Sequence, residues 1–243
     1  MSEVDGSATG ALMFAVTDHD ATELRHDHRS GFRPTRAFRG VILLIVVGIW
    51  GALLAGGIGI LWRYEHTPGL LLESPQRWPS ETTLIPSASR PTLVLFAHPK
   101  CPCTRASIAE FERLMTRCQD NVKAYVAFVK PSYYCGDAEW EKTDLWTSAE
   151  RIPGVTVVVD EGGREADRFR ATTSGYTLLY DTTGRLRFSG GVTSSRGHEG
   201  DNLGRSAIRQ FVDSGVAEVD RTKVYGCALV GSQKMQERSC CQK

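Results

Sequence analysis

Two thiols stand one residue apart in Pro99-Lys100-Cys101-Pro102-Cys103-Thr104, directly after the apolar run Thr92–Ala97. A buried strand handing over to an amphipathic helix would set them at a helix N-terminus. There, free N–H groups and the positive end of the helix dipole favour a thiolate. Two chemistries suit such a pair. The first is thiol–disulfide exchange. Cys101, nearer the helix start and expected to be the more exposed, would attack, and Cys103, one step into the helix, would resolve the intermediate. A disulfide across a single residue closes a small ring, and strain makes such a bond reducible. The second is soft-metal binding, in which two thiolates and a histidine hold Cu(I). Cys101, Cys103 and His198 form that ligand set.

Other residues are candidates for auxiliary roles. His98 lies two residues before the pair, and Lys100 adds positive potential beside it. Arg196 and His198, in Ser195-Arg-Gly-His-Glu-Gly-Asp-Asn202, could orient a substrate or tune a thiolate. Within the same segment Asp201 or Asn202 is suited to cap the last helix. Cys227 could fold back as a third thiol near the pair, or bridge to Cys135. Cys118 falls on an apolar helix face and reads as a small buried hydrophobe. Cys240 and Cys241 sit in a polar tail. The total of seven cysteines is odd, so at least one has no intrachain partner.

The elements that must position these groups follow from the pattern of apolar residues. Thr92–Ala97 and Val122–Val129 are continuous apolar runs, as in strands covered on both faces. From Thr104 to Cys118, one helical face carries Ile108, Phe111, Leu114, Met115 and Cys118. A helix with Leu145, Ala149 and Ile152 on one stripe precedes a strand at 154–160, and Gly163–Ala171 reads as a short helix. Tyr176–Tyr180 and Arg185–Ser189 flank Asp181-Thr-Thr-Gly184, a hairpin turn signal. A final helix from about Asn202 to Ser214 stops at Gly215. The resulting order is β-α-β-(α-β)-α-β-β-α, an α/β domain with helices on both faces of a mixed sheet.

One segment sets the expected compartment. Val41–Trp62 is an uncharged run of about 22 residues, enough to cross the ~30 Å hydrocarbon core of a bilayer at ~1.5 Å per residue. Arg25, Arg29, Arg33, Arg36 and Arg39 precede it. Arg63 and Arg77 follow, accompanied by Glu65 and Glu73. The cationic excess predicts an N-terminus inside and a C-terminal domain outside. In a bacterium this is a single-pass inner-membrane protein with a cytoplasmic N-terminus and a periplasmic domain, where disulfides persist. The expected divisions are a disordered cytoplasmic tail over 1–40, a transmembrane helix over 41–62, a linker over 63–90, a domain over 91–217 and a cysteine-containing tail over 218–243. A net charge of +1 and a pI near 7.6 give no general attraction to nucleic acid.

The element order, with a cysteine pair after the first strand, resembles the thioredoxin-like fold. More closely it resembles the membrane-tethered TlpA-like and peroxiredoxin-like branch, with an inserted α-β unit. Four segments are similar to the RedB family of single-pass bacterial thioredoxin-like proteins: Ala97-His-Pro-Lys-Cys-Pro-Cys-Thr-Arg-Ala-Ser107, Ser189-Gly-Gly-Val-Thr193, Arg196-Gly-His-Glu-Gly-Asp-Asn-Leu-Gly204 and Tyr225-Gly-Cys227. The resemblance spans about residues 65 to 230. It implies a thiol–disulfide oxidoreductase that needs no cofactor and acts on protein or small-molecule thiols and disulfides. The alternative is a copper-binding or delivery protein, like Sco-type proteins of the same broad fold. The chain departs from working thioredoxins at two points. Its cysteines are separated by one residue instead of two, and Ser174-Gly175 stands where those proteins carry a proline before the hairpin strand.

Overall fold

The computed structural model describes residues 35–131 and 139–229, which separate into two compact units divided between Gly51 and Ala52. Helix α1 runs from Arg36 to Glu65 and buries none of its residues. It has a mean hydropathy of 2.6 over its most apolar stretch, and is the one helix among the described residues long and apolar enough to cross a membrane. The helix extends past both ends of the expected 41–62 span, because backbone hydrogen bonding continues through the flanking arginines once the apolar run has formed a helix.

The α/β domain is built on five strands: β1 (Thr92–Ala97), β2 (Lys123–Lys130), β3 (Val155–Glu161), β4 (Tyr176–Tyr180) and β5 (Leu186–Gly191). Its helices are α2 (Pro102–Cys118), α3 (Asp144–Glu150), α4 (Arg164–Arg168) and α5 (Leu203–Ser214). The sheet order is β3-β2-β1-β4-β5, parallel across β3, β2 and β1 and antiparallel at β4 and β5. This is the thioredoxin-like arrangement, with α3 and β3 as the added α-β unit at one edge.

The central strand explains why the sequence reads as continuously apolar. Successive side chains of a strand point to opposite faces. Leu93, Leu95 and Ala97 enter a core shared with Ile108, Phe111 and Met115 of α2 and Ile208 of α5. Val94 and Phe96 enter a second core with Ala166 of α4, Phe169 and Tyr180. Both faces are therefore covered, and every residue of β1 is buried.

The second core also uses chain that the prolines mark as linker. Leu84 is buried in it, and Trp78 packs edge-on against Phe169 and Tyr180. The Ser74 hydroxyl shares a 2.7 Å hydrogen bond with the Tyr176 hydroxyl, and the Glu165 carboxylate accepts from Thr82 and from the N–H of Thr83. Residues 69–91 are thus part of the domain, packed on it through Leu71, Trp78 and Leu84. The segment after α5 behaves likewise. Ser189 N–H donates to Asp220 and Thr222 N–H to Ser189, and Val224 and Leu229 are buried in the second core.

One buried carboxylate joins the helices of the first face. Glu110 on α2 is fully buried and accepts from Arg113, Arg205, the Asn202 side-chain amide and the N–H of Gly200. Asn202 is the N-cap of α5, its side-chain oxygen accepting from Arg205 N–H at 2.8 Å. Of the two capping candidates, Asn202 takes that role, and Asp201 instead pairs with the Arg205 guanidinium. Helix α5 ends at Gly215 in the left-handed region, its N–H donating to the Phe211 carbonyl.

Candidate functional site

Cys101 is the N-cap residue of α2, with extended backbone (φ −89°, ψ 116°), and Pro102 occupies the first helical turn. Proline is suited to that position because its missing N–H would find no helical partner there. The Cys-Pro-Cys segment therefore sits at the strand-to-helix handover, with Cys103 inside the helix. Cys101 is only 1% exposed and Cys103 8%. This corrects the expectation that Cys101 is the more exposed thiol. The covering element is the segment after α5, which lays Cys227 beside it with the two sulfurs 2.9 Å apart.

The environments of the three thiols differ in sign. Burial pushes the Cys101 thiol up, but the Cys227 thiol, the Thr104 hydroxyl and the N–H groups of Cys227 and Thr104 outweigh it. The net direction is down. Cys227 moves the other way, pushed up to about 12 by burial and by the neighbouring Cys101 sulfur. Cys103 is raised by burial and by the charge on Cys101, partly offset by Arg196. Of the three, only Cys101 is shifted towards the thiolate, and Cys103 and Cys227 are shifted towards the thiol.

A hydroxyl chain supports that thiolate. His98 N–H donates to Ser174 Oγ at 2.8 Å, and Ser174 Oγ and Thr104 Oγ1 are 2.6 Å apart. Either hydroxyl can donate in that pair; Thr104 Oγ1 also donates to the His98 carbonyl at 3.4 Å, and the Thr104 hydroxyl is among the groups that lower the Cys101 pKa. Thr104 is the third residue of the helix counted from the N-cap, a position whose side chain can reach back to the cap. That spacing was the available signal for Thr104. Ser174 is marked in the sequence only by its place before the hairpin strand, and the reach of its hydroxyl to Thr104 has no local signal.

The structure brings Arg196 to the site and leaves His198 away from it. Arg196 donates to the Gly226 carbonyl at 2.7 Å, next to Cys227, and its charge favours the Cys103 thiolate. His198 is exposed on the loop before α5 and has neither cysteine as a partner. The Cys101, Cys103 and His198 ligand set is therefore not assembled. Among the described residues, no group of three His, Cys, Asp or Glu side chains is placed to share a metal ion. His98 is half-buried, its Nδ1 accepting from Lys100 N–H and its ring edge-on to Trp140 at 5.4 Å. Burial, then the Lys100 charge, lowers its pKa. The Lys100 ammonium lies 5.0 Å from the Trp140 ring centre. Cys118 is buried in the first core, as its helix face implies. Cys135, Cys240 and Cys241 lie outside the described residues, and so does any bridge from Cys135.

Ser174 and Gly175 fill the position opposite the pair. Gly175 has φ +89°, and a Cβ there would come within 2.7 Å of Ser107 Oγ. Its N–H donates to the Phe96 carbonyl, fixing the loop against the end of β1.

A thioredoxin-like domain with a Cys-Pro-Cys segment at a helix start is thus the class that fold and sequence define. No family model matches the chain, and no curated protein matches it. Among solved structures it is similar to an uncharacterized conserved protein from Geobacillus kaustophilus. That match is 17% identical over 66% of this chain and 96% of that one, with a TM-score of 0.51. It is also similar to a hypothetical protein from Sinorhizobium meliloti 1021, 14% identical over 68% of this chain and 97% of that one, with a TM-score of 0.52. A secreted Mycobacterium tuberculosis disulfide oxidoreductase aligns at 12% identity over 52% of this chain and 82% of its own, with a TM-score of 0.36. At these identities the likeness to the first two is one of fold.

Proposed function

We propose that this is a membrane-tethered thiol–disulfide oxidoreductase of the RedB type, in which Cys101 of the Cys-Pro-Cys segment is the exchanging thiolate. The observation that carries this reading is the environment of Cys101. It is a buried sulfur at a helix N-cap whose ionised form is favoured by neighbouring hydrogen-bond donors despite burial. The thiolate is the nucleophile in disulfide exchange and, as a leaving group, departs faster the lower its pKa. The substrates are protein or small-molecule thiols and disulfides, and the chemistry needs no cofactor.

The tether is α1. Its apolar length fits a single membrane crossing, and the arginine excess before it supports a cytoplasmic N-terminus with the domain on the periplasmic side of a bacterial inner membrane. That compartment sustains reversible disulfides. The RedB assignment rests on the long motifs around Cys101, Arg196 and Cys227.

Redox titration of the full-length protein in detergent, against glutathione buffers, tests the function, with Cu(I) competition alongside. The expected result is a reversible two-electron thiol couple and no tight Cu(I) binding. Tight one-to-one Cu(I) binding without a reversible disulfide would replace exchange by metal carriage.

A further inference from the structure

We infer that the redox couple is formed by Cys101 and Cys227, residues far apart in sequence, and that Cys103 is not its second member. This rests on the exchange reading above and names the partner that reading leaves open.

The geometry favours Cys227. Its sulfur is already 2.9 Å from that of Cys101, so closing to a ~2.05 Å bond asks for a movement of under about 1 Å. Its backbone is held in place on both sides. Ser174 N–H donates to the Cys227 carbonyl at 2.8 Å, Arg196 donates to the Gly226 carbonyl, and Leu229 N–H donates to Thr172. Ala228 pairs with Thr173 as an antiparallel bridge. Gly226 lies so close to the 174 loop that a Cβ would come 2.0 Å from the Ser174 carbonyl oxygen. The backbone is thus seated where no larger residue fits, and the next side chain is the thiol. Cys103, by contrast, is fixed inside α2 behind Pro102, and joining it to the extended Cys101 means closing the small ring across a single residue.

Exposure assigns the order of events. Cys101 is sealed, whereas Cys227 is only half-buried. When the couple is oxidised by a disulfide oxidant, a substrate thiolate attacks the Cys227 sulfur. That forms a substrate–Cys227 mixed disulfide, breaks the Cys101–Cys227 bond and releases Cys101 as its thiolate. A second substrate thiolate then attacks the substrate sulfur of the mixed disulfide. The substrate disulfide forms, and Cys227 leaves and takes up a proton. Two substrate thiols are oxidised and one protein disulfide is reduced to a dithiol. Stabilising the Cys101 thiolate makes it the better leaving group and favours the reduced protein, so the couple is drawn towards oxidising its substrates.

The test is disulfide mapping of the full-length wild type, Cys103→Ser and Cys227→Ser after equilibration with glutathione and glutathione disulfide, acid quenching and tryptic digestion without reduction. Cleavage after Lys100 and Arg105 keeps Cys101 and Cys103 on one peptide, so the Cys103→Ser variant resolves which of them is linked. Wild type and Cys103→Ser are expected to give a species joining peptide 101–105 to peptide 224–234 and to keep the two-electron couple. Cys227→Ser is expected to lose both. A couple retained in Cys227→Ser but lost in Cys103→Ser, with an internal disulfide in peptide 101–105 of the wild type, would overturn the inference and leave the exchange function standing. No reversible disulfide at Cys101 in any of the three would remove both.

Discussion

Cys101→Ser abolishes disulfide exchange and leaves the domain folded. The hydroxyl that replaces the thiol forms no disulfide with Cys227 or with Cys103, so the protein can no longer be oxidised to an internal disulfide at this site and the rate falls to that of buffer alone. The loss does not depend on which cysteine is the second member of the couple, since Cys101 is the first member with either. The fold survives for a local reason. Cys101 lies at the helix N-cap, where serine is a favoured residue. The hydrogen bonds that fix the neighbouring loops run through backbone groups and through Ser174 and Thr104, and none of them requires the sulfur. Exchange turnover together with a thermal melt of the same preparation checks both halves. A variant that melts like wild type and still catalyses exchange would remove Cys101 from the chemistry.

Glu110→Ala destabilises the domain by about 3 kcal/mol, within the range for breaking a buried ion pair by deleting one partner. The carboxylate is fully buried and ties α2 to the start of α5 through Arg205, the Asn202 amide and Gly200 N–H. Its removal takes one carboxylate from the Arg205 guanidinium, which keeps Asp201 and whose side chain is 21% exposed. The remaining partner and the access of water set the estimate at the lower end of the range. For a domain of this size the shift in Tm is roughly 6–12 °C. Glu110→Gln keeps one acceptor oxygen and should recover part of the loss. Denaturant or thermal unfolding of both variants measures this, and a change of under about 0.5 kcal/mol in Glu110→Ala would show that the cluster is not structural.

How far the sequence leads depends on whether a feature is local. The handover from β1 to α2 is legible, because an apolar run followed by a proline in the first helical turn and a period-3.6 apolar face are all local signals. The β4–β5 hairpin is legible for the same reason. Asp181 accepts from the N–H groups of Thr183 and Arg185 within its own turn, and Gly184 takes the left-handed conformation. The Asn202 cap and the Gly215 stop of α5 belong to this class too.

Features made by distant contacts are not legible. Four prolines make 63–90 read as linker, and only the folded sheet reveals that Trp78 and Leu84 have a surface to pack on. The position of Cys227 depends on the chain after α5 running back along β5 and pairing with the 172–174 loop, which no local pattern encodes. The burial of Cys101 follows from that same return. Its pKa environment, made by Thr104 nearby and Cys227 far off, was therefore half legible. The shortened cysteine spacing looks like a defect when only two thiols are considered. With Cys227 in place, the site has its second sulfur from elsewhere in the fold.

The claim that Cys101 acts as a stabilised thiolate is tested most directly by the pH dependence of its alkylation. Full-length reduced protein is pulsed with iodoacetamide across pH 5 to 11 and modification is read cysteine by cysteine by mass spectrometry. The structure predicts that Cys101 reacts with a midpoint below that of an ordinary cysteine, and that Cys103 and Cys227 react with midpoints above it. Burial slows Cys101 at every pH and so lowers the plateau without moving the midpoint. A Cys101 midpoint at or above the ordinary value, or a midpoint below it at Cys103 or Cys227 instead, would contradict the account.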